Sequence, residues 1–458
     1  MPGVEPTTRS ERSGKSNSIY VWFVASVAAA SGFLFGFDTA VINGALVFLK
    51  VHFGLTSFQT EIAASSLLLG CLVGAGAAGK CSDLFGRRKS LMGAALLFGV
   101  SALGSALAVS FVFFTCMRGI GGLAIGLASA LTPVYISEVA PPESRGRLVS
   151  LNQLAIVTGI LVAYLSNWQL AGLGSTSWRW MFGVAAFPSV AFLIGLFYIP
   201  ESPRWLVANN QREEGYVVLE KIAGPAGVQA EMNAIELAIS EEDGGAGELF
   251  SEQMRPRLFI AIALAVLEQI CGINTVLYYG SLIFAQQFHG QSIKLAIGAN
   301  VIVGLVNLIF TIVAMFFIDR WGRRLLFLLA TAGMAISLTV LAASFKLGLG
   351  GHYLIFGCIL AYIAFFAVGL GPGVWVYIAE IFPTRVRSQA ASIATMALWS
   401  ACLVVTLTFL SIVDRMGLSG AFALYALLSL LTFVFIWKWI PETRGKSLEQ
   451  IQHYWSQR

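Results

Sequence analysis

The sequence predicts an all-α membrane protein: twelve transmembrane helices in two six-helix bundles, joined by a cytosolic helical linker. Three observations predict it. The 458 residues are 57% hydrophobic and only 12% charged, with a mean hydropathy of +0.78, whereas soluble domains carry roughly 25% charged residues. Apolar runs of the ~20 residues that a bilayer crossing needs begin near Tyr20, Phe58, Lys89, Val112, Leu148, Trp180, Leu258, Ser292, Arg324, His352, Arg387 and Leu418. The chain also repeats itself. Asp83-Leu84-Phe85-Gly86-Arg87-Arg88 returns as Asp319-Arg320-Trp321-Gly322-Arg323-Arg324, Glu138 with Arg145 returns as Glu380 with Arg387, and Pro200-Glu201-Ser202 returns as Pro441-Glu442-Thr443. The common offset is about 240 residues, which makes one half the repeating unit.

In chain order, residues 1–17 read as a polar tail carrying Arg9, Arg12 and Lys15, with no small-residue cleavage site following. Residues 18–202 form the first six-helix bundle and 257–440 the second, with 441–458 a closing tail. Between the bundles, 203–256 turns polar, and apolar residues at helical spacing separate Gln211-Arg212-Glu213-Glu214 from Glu241-Glu242-Asp243. Of the 29 Lys and Arg, five (Lys50, Arg179, Lys294, Lys346, Arg415) fall at the ends of spans away from the tail and one, Arg118, inside a span. The positive-inside bias therefore places both termini in the cytoplasm of a multi-pass cell-membrane protein. The formal charge of +5 reflects that topology, and no nucleic-acid motif accompanies it. Cys71, Cys81, Cys116, Cys271, Cys358 and Cys402 lie in or at the ends of spans without metal-ligand spacing, so they read as packing and no metal or cofactor is expected.

The ionisable residues inside the spans carry the functional reading. Asp38 in the first span and Arg118 in the fourth are each other's obvious partners, because no other acid or base lies deep in the first six spans and a lone charge in hydrocarbon costs several kcal/mol, about 3 or more. A carboxylate beside a guanidinium keeps its charge, and one drawn away from it in a dry cavity takes up a proton. The pair thus reads as a proton-coupling device, or else as a fixed tie between spans. The repeated turns read as a cytosolic lock, broken when the site opens to the cytosol, in which Asp83, Arg87, Arg88, Asp319, Arg323 and Arg324 meet Glu138, Arg145, Glu380, Arg387 and helix carbonyl ends of the opposite half. Charge that merely sets topology is the alternative.

Uncharged polar groups mark a ligand path: Asn152 and Gln153 in span five, Glu268, Gln269, Asn274, Tyr278 and Tyr279 in span seven, Asn307 in span eight, and Trp375 after Gly371-Pro372-Gly373 in span ten. Amides donate and accept as sugar hydroxyls do, and an indole covers an apolar C–H face. Gly272 and the Gly-Pro-Gly cluster allow helix breaks, which occur at membrane depth only where backbone lines a cavity.

Together these residues resemble the sugar porter family of the major facilitator superfamily. The likeness runs from Gly36-Phe37-Asp38 through Arg118-Gly119-Ile120-Gly121-Gly122, Pro200-Glu201-Ser202-Pro203-Arg204-Trp205 and Gly272-Ile273-Asn274 to Pro441-Glu442-Thr443-Arg444-Gly445-Lys446. The resemblance implies the major facilitator fold, alternating access to a central site, sugar contacts at Gln153, Gln269, Asn274, Asn307 and Trp375, cavity or gate roles for Phe35 and Tyr278, and proton coupling at Asp38 and Arg118. Family members that are uncoupled glucose facilitators have Asn where Asp38 stands, so the acid favours symport. Three positions depart from the pattern. Glu268 replaces the first of two Gln, Leu398 replaces an amide before Trp399, and Ala185 replaces an acid found in the xylose symporter of the family. Ile160 is similar to the glucose facilitators and, with Trp375, leans towards an aldohexose such as glucose.

The reading is thus a monomeric proton/monosaccharide symporter whose partners are the sugar, protons and the lipid bilayer. An uncoupled facilitator and a sugar sensor are the alternatives. An enzyme is not expected, since the sequence shows no nucleophile beside a base and no phosphate loop.

Overall fold

The computed structural model describes residues 18–444 except 142–143, 226, 241–248, 253, 288–292, 349–350 and 383. Ten stretches of helix are long and apolar enough to cross a membrane, and two of them, Arg145–Phe197 and Gln389–Trp439, run to 53 and 51 residues. A 20-residue helix already spans about 30 Å, so each of these holds two crossings and the described chain makes twelve.

The first four spans are Ser18–His52, Ser57–Phe85, Arg87–Ala106 and Phe111–Val139. Span five is Arg145–Leu170, and span six is built from Ser177–Gly183 and Ala186–Phe197. In the second half, span seven is broken into Arg255–Ile270 and Ile273–Gln287, spans eight and nine are Ile293–Trp321 and Arg323–Leu347, and span ten is broken into Gly351–Val368 and Leu370–Ile381. Spans eleven and twelve form one helical stretch, Thr384–Trp439, folded back at Gly417 (φ 71°, ψ 172°). Three short helices, Pro203–Ala208, Arg212–Ala223 and Val228–Ser240, follow the first bundle.

Local chemistry explains the ends. Span two starts on a reciprocal cap, Thr56 Oγ1 accepting from Gln59 N–H at 3.2 Å while Thr56 N–H donates to Gln59 Oε1 at 3.0 Å. The repeated turns between spans two and three and between eight and nine each pivot on one glycine at positive φ, Gly86 at 87° and Gly322 at 88°.

Small residues set the packing within the first half. Gly70 and Gly74 of span two interleave with Gly122 and Gly126 of span four, each Cα face against the other helix's backbone. Gly36 of span one abuts the Ile156 carbonyl of span five, and Gly159 abuts Phe33 in return. In lipid, where burial adds little to helix association, such close backbone approach supplies the contact energy.

Candidate functional site

The repeated turns show the same construction twice. In the first half Arg87 grips Glu138 with two bonds of 3.0 Å, while the Glu201 carboxylate accepts the backbone N–H of Arg87 (2.8 Å) and Arg88 (3.1 Å). Arg88 Nε then donates to the Leu196 carbonyl at 2.8 Å. In the second half Arg323 meets Glu380 at 2.8 Å, Glu442 accepts from Arg323 N and Arg324 N at 3.1 Å each, and Arg324 donates to the Trp437 carbonyl at 2.7 Å. Among the described residues each of these bonds stays within its own half, in a molecule whose halves are joined at the opposite end, whereas the lock across the halves is expected only while this end is shut. Within a half the bonds follow from proximity, since each half's sixth span ends beside its own turn and satisfies the turn's free N–H groups. Asp83 lies 3.9 Å from Arg87. Arg145 reaches only the Ala140 carbonyl, at 3.5 Å. The side chains of Asp319 and Arg387 lie outside the described residues.

Asp38 and Arg118 come together as the sequence suggested. Arg118 is fully buried and Asp38 is 6% exposed. Nη1 pairs with the Asp38 carboxylate, Nη2 donates to the Asp38 backbone carbonyl at 2.9 Å, and the guanidinium lies 5.1 Å from the Phe182 ring. This double grip anchors the side chain and the first span at once. Oδ2 of Asp38 has no hydrogen-bond partner.

The amides of span seven gather where its helix breaks. Gly272 sits at φ 88° against the face of Tyr425, so the break is sterically reserved for glycine. Asn274 Nδ2 donates to Gln269 Oε1 and to Cys402 Sγ, the latter at 3.0 Å. Glu268 is 4% exposed and its Oε2 has no partner. Asn307, Ile160, Tyr278, Leu398 and Trp399 are buried, and Phe35 packs on Trp399 with centroids 5.6 Å apart. Gln153 is half-buried, while Trp375 is 37% exposed, the most open of the assigned residues. Cys71 stands within electrostatic range of Asp38, Arg118 and Cys402, and Tyr278 within range of Arg118 and both cysteines. The ion pair and the amide cluster therefore share one neighbourhood.

Cys402 belongs to this cluster although it read as packing. Two further groups went unremarked in the sequence, and both join the halves at the end away from the charged turns. Asn43 Nδ2 donates to the Leu277 carbonyl at 2.8 Å and to Asn300 Oδ1 at 3.2 Å, and its Oδ1 accepts from Ser281 N at 3.0 Å and from Ser281 Oγ. Tyr164 adds a bond to the Leu277 carbonyl at 2.9 Å, and Tyr279, assigned to the gate, donates to the Thr406 carbonyl at 2.8 Å. Glu61, fully buried at the start of span two, accepts from Ser411 N–H at 2.7 Å and Ser411 Oγ at 2.8 Å. It is a second buried acid in the first six spans, where Asp38 was expected to be alone. Its position near a span end disguises it as a surface residue.

These bonds hold one end of the molecule closed. Removing the carboxylate in Glu61→Ala leaves two donors unsatisfied, and bonds to charged groups contribute about 1.5–3 kcal/mol. In a background where Cys402 is the sole cysteine, its labelling by a membrane-impermeant thiol reagent from that end is expected to rise about tenfold. Unchanged labelling would show that Glu61 does not hold the closure.

A duplicated twelve-span bundle with a buried Asp–Arg pair beside an amide cluster defines a major facilitator membrane transporter. The chain belongs to the sugar (and other) transporter family, whose sequence model matches residues 24–455. It is 39% identical over 457 residues to the arabinose-proton symporter of Bacillus subtilis, covering 98% of this chain and 97% of that one. It is 38% identical over 460 residues to the glucose transport protein of Synechocystis sp., covering 95% and 98%. The partially occluded inward-open structure of the Escherichia coli xylose transporter XylE superposes with a TM-score of 0.84 at 33% identity, covering 94% of this chain and all of that one.

Proposed function

We propose that the protein couples proton movement to symport of a monosaccharide, an aldohexose such as glucose, by alternating access, and that it works as a monomer in the cell membrane with the charged turns and both termini in the cytoplasm. The observation that carries this reading is the Asp38–Arg118 pair, buried among groups that also approach the amide cluster. A shift of span one against span four within the first half, driven as the halves rock, would separate the pair and change the proton affinity of Asp38 in step with the sugar site. The relatives' names, arabinose-proton symporter and glucose transport protein, support a proton-coupled monosaccharide carrier. Gln269, Asn274, Asn307, Gln153 and Trp375 would contact the sugar, with Glu268 donating or accepting in the place of an amide, and Phe35, Ile160, Tyr278, Tyr279, Leu398 and Trp399 shaping the cavity. A second reading, an uncoupled facilitator with Asp38 purely structural, is favoured by the bond from Arg118 to the Asp38 backbone carbonyl, since that bond needs no titration.

The test is sugar-induced external alkalinisation in proteoliposomes, combined with competition among glucose, galactose, xylose, fructose and myo-inositol. Alkalinisation supports symport; uptake without it supports the facilitator. Gln269→Ala removes the acceptor that orients Asn274 and is expected to weaken binding of the best competitor at least about tenfold, roughly 1.4 kcal/mol. Calorimetric affinity equal to wild type would move the sugar away from span seven.

A further inference from the structure

Beside the ion pair lies a set of buried polar atoms that the coupling reading does not use. Oδ2 of Asp38, Oγ of Ser101, Oγ of Ser105 and Nε of Arg118 all lack a hydrogen-bond partner. Their residues are 6%, 1%, 0% and 0% exposed. Buried polar atoms without partners are rare, and in close-packed interiors such groups are satisfied by water. Two of these atoms converge on one point. A Cβ added to Gly121 would stand 2.8 Å from Asp38 Oδ2 and closer still to Ser101 Oγ, so both oxygens close on one point beside the Gly121 backbone, where even a methyl group has no room. Ser105 lies one helical turn from Ser101 on span three, about 6 Å along the axis, and next to the last residue of that span, Ala106. Arg179 closes the helix end beyond it by donating to the Ala106 carbonyl at 2.8 Å. The hydroxyls therefore run from Asp38 towards the end of the molecule that the Asn43 and Glu61 bonds hold shut. Spans one, three and four contribute the path, and the sugar-site residues of spans seven, eight, ten and eleven are absent from it.

We propose that Ser105 and Ser101, packed beside Gly121, form with intervening water a hydroxyl path that carries protons to Oδ2 of Asp38 from the outer end of span three, separately from the sugar cavity. The proposal rests on the proton-coupled reading above. Hydroxyls both donate and accept, so a water between successive serines passes a proton with no net charge deposited on them. The titratable or charged groups facing Asp38 are Arg118 from span four and Cys71 from span two, while span six presents the Phe182 ring to Arg118. A path with its own opening lets Asp38 load while the sugar route at that end is shut, as it is here.

The test compares two fluxes of radiolabelled D-glucose in proteoliposomes. Counterflow at equal pH reads the sugar step, and uptake driven by a pH gradient, over a series of external pH values, reads the proton step. In Ser101→Ala/Ser105→Ala the ratio of driven uptake to counterflow is expected to fall about tenfold or more, with the residual uptake optimal at a more acidic external pH. Ser101→Thr alone, which keeps the hydroxyl, stays at the wild-type ratio, and Gly121→Ala lowers it. A double-alanine variant with the wild-type ratio and pH profile overturns the path, provided Asp38→Asn has lost driven uptake. If Asp38→Asn accumulates glucose as wild type does, the symport reading fails and the path with it.

Discussion

Asp38→Asn is expected to abolish uphill sugar accumulation while leaving counterflow measurable. The substitution keeps the shape and the acceptor that faces Arg118 Nη1, and the Arg118 bond to the Asp38 backbone carbonyl does not depend on the side chain. The capacity to carry a proton is removed, and with it the negative charge. Arg118 loses its counter-ion at a fully buried position, which costs about 3–5 kcal/mol where burial is complete, so accumulation should be scored against counterflow in the same preparation. Arg118→Leu should be more damaging, because it strands the carboxyl and frees the Asp38 carbonyl together, favouring one protonation state and with it one conformation. Concentrative uptake by the Asn variant at the wild-type level would remove Asp38 from the coupling mechanism.

The second large effect is structural. Gly122→Val is expected to prevent assembly of the first bundle, because a Cβ at Gly122 would overlap the Leu67 carbonyl oxygen and leave no flexible atom to yield. Over-packing a well-packed interior costs about 1–3 kcal/mol, and here the obstruction is backbone on both sides, so spans two and four must part along the whole Gly70/Gly74–Gly122/Gly126 seam. Gly79→Ala is the control: it lies on span two, the partner in the seam, with nothing within 4 Å of the added atom, and it should be neutral or slightly stabilising through helix propensity. Thermal melting of detergent-purified protein separates them. A Gly122→Val melting point within about 1 °C of wild type, a shift worth no more than about 1 kcal/mol at this chain length, would mean that the seam adapts.

The duplicated turns were legible because their chemistry is local. A glycine that must take positive φ and two arginines recur at one offset with the Glu138 and Glu380 they were expected to meet, while the capping of the turn N–H groups by Glu201 and Glu442 went unremarked. Asp38 and Arg118 were legible because isolated charges in apolar sequence can scarcely be placed otherwise. What escaped notice depends on partners far apart in the chain. Glu61 is an unexceptional acid near a helix start until Ser411 is brought to it, and Asn43 is one polar residue among several until Ser281 and Asn300 converge on it. Cys402 has no metal-type spacing, so only its bond from Asn274 reveals a role. The lock across the halves belongs to the state shut at the charged end, whereas here the halves are joined at the other end and the clamps seen are those inside each half.

That arrangement has a mechanical consequence. Side-chain hydrogen bonds of Asn43, Tyr164 and Glu61 cross between the halves at one end, while the carboxylate clamps of Glu138 and Glu380 at the other end each tie residues of one half together. The molecule is in this respect a pair of stiff jaws on a single pin. Small rotations at the pin become large displacements at the free tips, with helices about 30 Å long as the lever arms. Force is then best applied, or resisted, at the tips, where the linker's short helices follow the first jaw's last span.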